Sequence, residues 1–186
     1  MNDLRDFLVR EDSAYAKEAF KLRFTTNHDE NTWKGTEAEL FGSLTKNFQA
    51  LCFTLPGMPL MYSGQESILD KRLEFFEKDL IDWKKYADAS HFQKLDLVRT
   101  ENAALWGGEF GGSFEVLGEN SDNGVLAFDR IKGDNHVRVI MNCTDKQQDV
   151  SAYMDSTPND ISMMDGTTFS GPTLAAFDFV ILQMNP

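Results

Sequence analysis

The groups best placed to act on a bound molecule lie in one run, Asn27-His28-Asp29-Glu30. It follows KLRFTT at residues 21–26, a short β-prone stretch, so the cluster falls where a parallel strand would end. In parallel α/β architectures ligands bind at that end, because the loops leaving the strands form the crevice. A carboxylate there can stabilise a cationic transition state, and a neighbouring imidazole can donate to a hydroxyl or phosphate oxygen. The same run also suits a loop or helix cap, and residue types alone leave both readings open. No metal site is expected. His28, Asp29 and Glu30 are consecutive rather than at ligand spacing, while His91 and His136 fall in unrelated segments. Nor is there a Gly-rich phosphate loop or a nucleophile elbow.

The elements that must position this run follow directly. Thr36-Glu37-Ala38-Glu39 has the form of a capping box. Leu40, Phe41, Leu44, Phe48, Leu51 and Cys52 then recur at helical spacing, giving one apolar face over about four turns that Pro56-Gly57 stops. Residues 58–62 read as a buried strand, and Ser63-Gly64-Gln65-Glu66 leaves it as a polar loop. Strand, helix and strand with short connections predict a βαβ unit with parallel strands. Residues 74–85 predict a loop with a short helix, and residues 90–101 a helix with Phe92, Leu95 and Val98 on one face.

From Gly107 the texture changes to alternating runs at 113–117, 125–131, 137–142, 150–153 and 174–183, with glycine turns between them. Such spacing predicts an antiparallel sandwich or barrel. The division falls near Trp106, giving domains over 1–106 and 107–186. With 186 residues and a net charge of −12, the composition is that of a globular protein and argues against nucleic acid as a partner. No apolar stretch approaches the roughly 20 residues that cross a bilayer, so no membrane partner is expected. Cys52 and Cys143 read as two buried free thiols, which leaves the compartment open.

Phe24-Thr25-Thr26-Asn27-His28-Asp29 resembles the last conserved region of the α-amylase family, family 13 of the glycoside hydrolases, where F-x-x-N-H-D ends the seventh barrel strand. About thirty residues on, residues 56–66 (PGMPLMYSGQE) are similar to the family's eighth-strand pattern, G-x-P-L-x-Y-x-G-x-E. Residues 71–76, Ile81-Asp82-Trp83 and the Leu97-Arg99-Asn102-Ala104-Leu105 helix resemble its final barrel stretch, and residues 125–130 its C-terminal β-domain. The resemblance implies an α/β barrel remnant, the last two βα units of a TIM barrel, followed by an all-β antiparallel sandwich. It also implies that Asp29 is the catalytic carboxylate that orients sugar hydroxyls and stabilises the oxocarbenium-like transition state. His28 would hydrogen-bond the same ring, with Asn27 holding the pair, and Trp33 is placed to stack on a sugar face or to pack.

A retaining glycosidase also needs a nucleophile and a general acid, about 5–5.5 Å apart, which the family draws from its fourth and fifth strands. Neither has a counterpart in this sequence, and a whole barrel takes about 250 residues. The sequence therefore predicts the C-terminal fragment of a retaining α-1,4-glucan hydrolase, with α-glucan as the whole enzyme's substrate and no turnover by the fragment. No cofactor is expected in this stretch; a structural calcium would belong elsewhere in the parent. The alternatives are a β-sandwich that binds carbohydrate by itself, through Phe110, Phe114, Tyr153 or Phe169, and a purely structural module. Truncating a barrel exposes apolar strands such as those carrying Leu22, Phe24, Leu60 and Tyr62, so self-association through the remnant is expected, unless residues 4–9 fold over the gap.

Overall fold

The computed structural model describes residues 2–16, 18–118, 123–154, 160–169 and 171–184. It opens with a helix that the sequence reading missed, α1 (Asn2–Ala14). Leu4 and Leu8 carry it onto the core, Leu8 being only 3% exposed. Glu11 on the same helix pairs with Arg23 Nη1 at 2.7 Å and accepts from Lys21 Nζ through its backbone carbonyl at 2.8 Å. These contacts guide the chain into β1 (Leu22–Arg23).

β1 is shorter than the expected 21–26. It is followed by α2 (His28–Trp33), α3 (Glu37–Phe41), a 3₁₀ turn at Gly42–Leu44, α4 (Thr45–Thr54) and β2 (Met58–Pro59), which pairs with β1 in parallel. The capping box forms: Glu39 N–H donates to Thr36 Oγ1 at 3.2 Å, and Thr36 N–H donates to Glu39 Oε2 at 2.7 Å. The single long helix of the sequence reading is thus broken at Gly42, which takes a φ of 53°. Gly57 has a φ of 135°, and a Cβ there would lie 2.4 Å from the Lys21 carbonyl oxygen. Only glycine allows the Met58 N–H to reach that oxygen, at 2.7 Å.

α5 (Ala89–Glu101) packs on α4 through Phe92, Leu95 and Val98, as the spacing predicts. Arginines hold the C-terminal end of α4, where carbonyls lack helical partners. Arg99 Nη1 donates to Phe53 O at 2.9 Å, and Arg130 Nη1 donates to Thr54 O at 2.8 Å. Arg130 is 1% exposed, and burial pulls its pKa down to about 9, still charged at neutral pH.

The remaining strands are β3 (Ser113–Val116), β4 (Val125–Lys132), β5 (Asn135–Asn142), β6 (Gln148–Asp149), β7 (Ile161–Ser162), β8 (Thr173–Leu174) and β9 (Phe179–Met184). Five form an antiparallel sheet in the order β3-β4-β5-β9-β7, and β6 pairs with β8 separately. Two expectations fail locally. Residues 151–153 form a 3₁₀ turn instead of a strand, because the Asp149 carboxylate accepts from the Ser151 N–H at 2.8 Å and turns the chain. The run at 174–183 is split between β8 and β9, with Phe177 at a φ of 57° in the break.

Strand alternation explains the core. Leu126, Phe128, Val137, Val139 and Ile181 face one way and pack with Leu51, Phe53, Leu95 and Leu8 of the helices. Val125, Ala127, Ile140, Val180 and Leu182 face the other way and pack with Val150, Tyr153 and Leu174 beside β6 and β8. The central sheet is therefore covered by helices on one side and by the small sheet on the other. The sandwich expected after Trp106 uses the helical part of the chain as one of its covers. By contrast, Leu22 on β1 and Phe24 just after it are exposed, as is Met58 on β2. α1 leaves those side chains uncovered.

Candidate functional site

Beneath the site lies a polar network that the sequence reading did not find. Glu37, on α3, is 8% exposed and accepts from Thr25 Oγ1 at 2.5 Å, Gln65 Nε2 at 2.8 Å and Gln49 Nε2 at 3.2 Å. Thr25 leaves β1, Gln65 leaves β2 and Gln49 lies on α4. One buried carboxylate thus ties together the loops that follow both parallel strands. Gln65 Oε1 also accepts from the Tyr62 N–H at 2.6 Å, which fixes the second loop at the rim of the site.

Asn27 ends the first loop as the N-cap of α2, in extended conformation, and its Oδ1 accepts from the N–H groups of Asp29 at 2.9 Å and Glu30 at 2.8 Å. The cap reading is therefore realised, and it determines where the next two side chains go. His28 and Asp29 occupy the first turn with side chains 73% and 56% exposed, His28 Nε2 lying 3.6 Å from Asp29 Oδ2. That separation is too long for a hydrogen bond, so both groups are free to meet a ligand. Trp33, at the end of α2, is also exposed.

Phe75 joins these residues. Its ring lies near-parallel to that of His28 (centroids 6.5 Å apart, 24°) and tilted against Trp33 (5.4 Å, 43°). A cleft of about 180 Å³ opens between His28, Thr32, Tyr62, Phe75, Glu77 and Asp79. The loop bearing Phe75 is bound to α2 by Asn31, which is 1% exposed. Asn31 Oδ1 accepts from Leu73 N–H at 2.8 Å and its Nδ2 donates to Lys71 O at 3.2 Å, while Thr32 Oγ1 donates to Leu73 O at 2.7 Å. Asp79 closes the loop by pairing with Lys71 and accepting from the N–H groups of Glu74 and Leu80, and the Lys71 contact first, then the amides, holds its carboxyl below the usual range. Further along, Arg72 pairs with Glu39 at 2.9 Å, and this bond and the Thr36 amide bring Glu39 down to about 2.

The structure thus gathers Asn27, His28, Asp29 and, through Phe75, Trp33 into one surface. Among the sandwich aromatics, Tyr153 is buried, Phe114 and Phe169 are half-buried, and only Phe110 is exposed, so they make no common face. The described residues contain no group of three or more His, Cys, Asp or Glu placed to hold a metal.

No known family model matches the sequence, and no curated protein matches it. Solved structures do. An α-amylase from Geobacillus thermoleovorans, complexed with acarbose, superposes with a TM-score of 0.75 at 18% identity, over 97% of this chain and 42% of its own. The fold is that of the α-amylases. An α-amylase from Lactobacillus plantarum gives 0.74 at 16% identity over 98% of this chain and 42% of its own. A noncanonic maltogenic α-amylase from Thermotoga neapolitana gives 0.70 at 17% identity, over 97% and 45%. The chain spans less than half the length of each of these α-amylases.

Proposed function

We propose that this chain is the C-terminal part of an α-amylase-type glycoside hydrolase, comprising the end of the catalytic barrel, residues 1–106, and a C-terminal β-domain, residues 107–186. The observation that carries the reading is the pairing of exposed His28 and Asp29 on a capped turn just beyond a parallel strand, beside an aromatic cleft, in a chain of α-amylase fold.

In the whole enzyme the substrate is an α-1,4-glucan. Asp29 accepts hydrogen bonds from the sugar hydroxyls and sets a negative charge near the ring as it gains oxocarbenium character. Such a charge lowers the barrier because it meets more positive charge in the transition state than in the ground state. His28 donates to a hydroxyl of the same ring, and Asn27 orients both by capping α2. Of the other acids at the cleft, Asp79 is already engaged by Lys71 and two backbone amides. The nucleophile and general acid of a retaining double displacement are supplied by strands other than β1 and β2, so this chain by itself binds sugar without turning it over.

The test is kinetic, in the enzyme that carries this chain together with those two groups. Asp29→Asn lowers kcat and kcat/KM together, the mark of an interaction made in the transition state, while His28→Ala is milder. An Asp29→Asn enzyme of near-normal activity refutes the assignment.

A further inference from the structure

Exposed aromatic side chains extend from the proposed sugar site. Phe76 is 82% exposed and packs edge-to-face on Phe75, with ring centroids 4.8 Å apart at 74°; Phe75 in turn touches Trp33 and lies along His28. Contiguous exposed apolar surface is unusual unless it meets something. This one is also rigidly mounted. Asn31 and Thr32 bind the backbone just before it, and Asp79 closes the loop just after it.

The surroundings specify what it meets. A pyranose ring presents an apolar face of C–H groups edged by hydroxyls, so its site needs an aromatic face with hydrogen-bond acceptors beside it. Glu74 and Glu77 are exposed beside Phe75 and Phe76, and Asp29 stands by His28. A protein partner's apolar face would instead have to desolvate these carboxylates without pairing them. We infer that Trp33, Phe75 and Phe76 form a stacking platform for successive glucose units of an α-glucan whose neighbouring unit is held by His28 and Asp29. This rests on the sugar-site reading above and adds residues to it: Phe76 and Trp33 bind chain length, and His28 and Asp29 bind one ring.

The experiment is titration of the purified chain with maltose and with maltoheptaose, followed by amide NMR and by tryptophan fluorescence in a Trp83→Phe, Trp106→Phe background that leaves Trp33 as the reporter. Maltoheptaose binds more tightly than maltose and perturbs Trp33, Phe75 and Phe76 as well as His28 and Asp29. Phe76→Ala and Trp33→Ala each weaken maltoheptaose binding by about two- to tenfold, and more than they weaken the binding of maltose, which reaches only the first ring of the platform. The exposure of both side chains keeps the fold out of the comparison, and a thermal melt verifies it. If both variants bind maltoheptaose like the wild type, the platform is overturned and the His28–Asp29 site stands. If the aromatics respond but Asp29→Asn has no effect on either sugar, the sugar-site reading fails and the platform stands. Equal binding of cellohexaose overturns the assignment to α-glucans.

Discussion

Removing the carboxylate of Glu37 should loosen both the fold and the site above it. Glu37→Ala strands two side-chain donors in the interior, the Thr25 hydroxyl and the Gln49 amide, and takes one of two acceptors from the Gln65 amide, whose Nε2 also donates to Thr25 Oγ1 at 2.9 Å; all three residues are less than 9% exposed. Hydrogen bonds to a charged group contribute about 1.5–3 kcal/mol each. They share one acceptor, and relief of the carboxylate's own desolvation offsets part of the loss, so the net cost is about 2–4 kcal/mol. That is a large share of the roughly 5–15 kcal/mol typical of a domain and corresponds to a fall in Tm of about 5–12 °C. Urea titration followed by far-UV circular dichroism measures the change. Because Gln65 also holds the Tyr62 amide, the variant should broaden the amide signals of residues 62–66 before global unfolding. A double-mutant cycle with Gln65→Ala should give a coupling of at least about 0.5 kcal/mol. A loss below about 1 kcal/mol, with no coupling, would show that Glu37 does not hold the two loops together.

Other outcomes follow from the same structure. Burial pushes Cys52 up to about 12 and Cys143 up to about 11, so neither is a thiolate at pH 8. Both should react slowly with thiol reagents until the chain unfolds, and rapid labelling of the native protein would contradict their packing. Burial, then the nearby Lys46, brings His91 down to about 4 from 6.5, against the opposing pull of Asp88. Between those values the unfolded chain binds more protons, so His91 makes stability fall as pH drops from 6.5 towards 4. His91→Phe should flatten that slope in denaturation midpoints, and an unchanged slope would exclude His91 as its source. Amide exchange should be slower in β4 and β5, each paired on both sides, than in β1, which pairs only with β2. The reverse order would mean that the sheet is not the stable centre.

What was legible in the sequence was local or periodic. The capping box at Thr36 and Glu39 closes within three residues, and β4 and β5 are short, largely apolar runs bounded by turn residues, buried on both faces, whose successive side chains divide between two cores. The missed helix α1 has a weak stripe: Leu4 and Leu8 pack, but Phe7 and Val9 are exposed. At residues 150–153 alternation suggests a strand, yet the Asp149 side chain competes successfully for the backbone. In the site, Asn27, His28, Asp29 and Trp33 lie within seven residues and could be read together. Phe75 and Asn31 could not, because the bonds that join them span about forty residues and depend on a loop closed by Lys71 and Asp79. The adjacent aromatics in the charged run Glu74-Phe75-Phe76-Glu77 were the one available hint of the platform.

Recognition of a glucose-like ring by Asp29 and His28 can be measured by calorimetric titration of this chain with acarbose, comparing wild type with Asp29→Asn. Loss of charge-assisted hydrogen bonds worth about 1.5–3 kcal/mol predicts binding at least tenfold weaker in the variant, with amide shifts at His28 and Asp29 in the wild type only. Equal affinity in the two proteins, or wild-type shifts confined to residues 107–184, would contradict it.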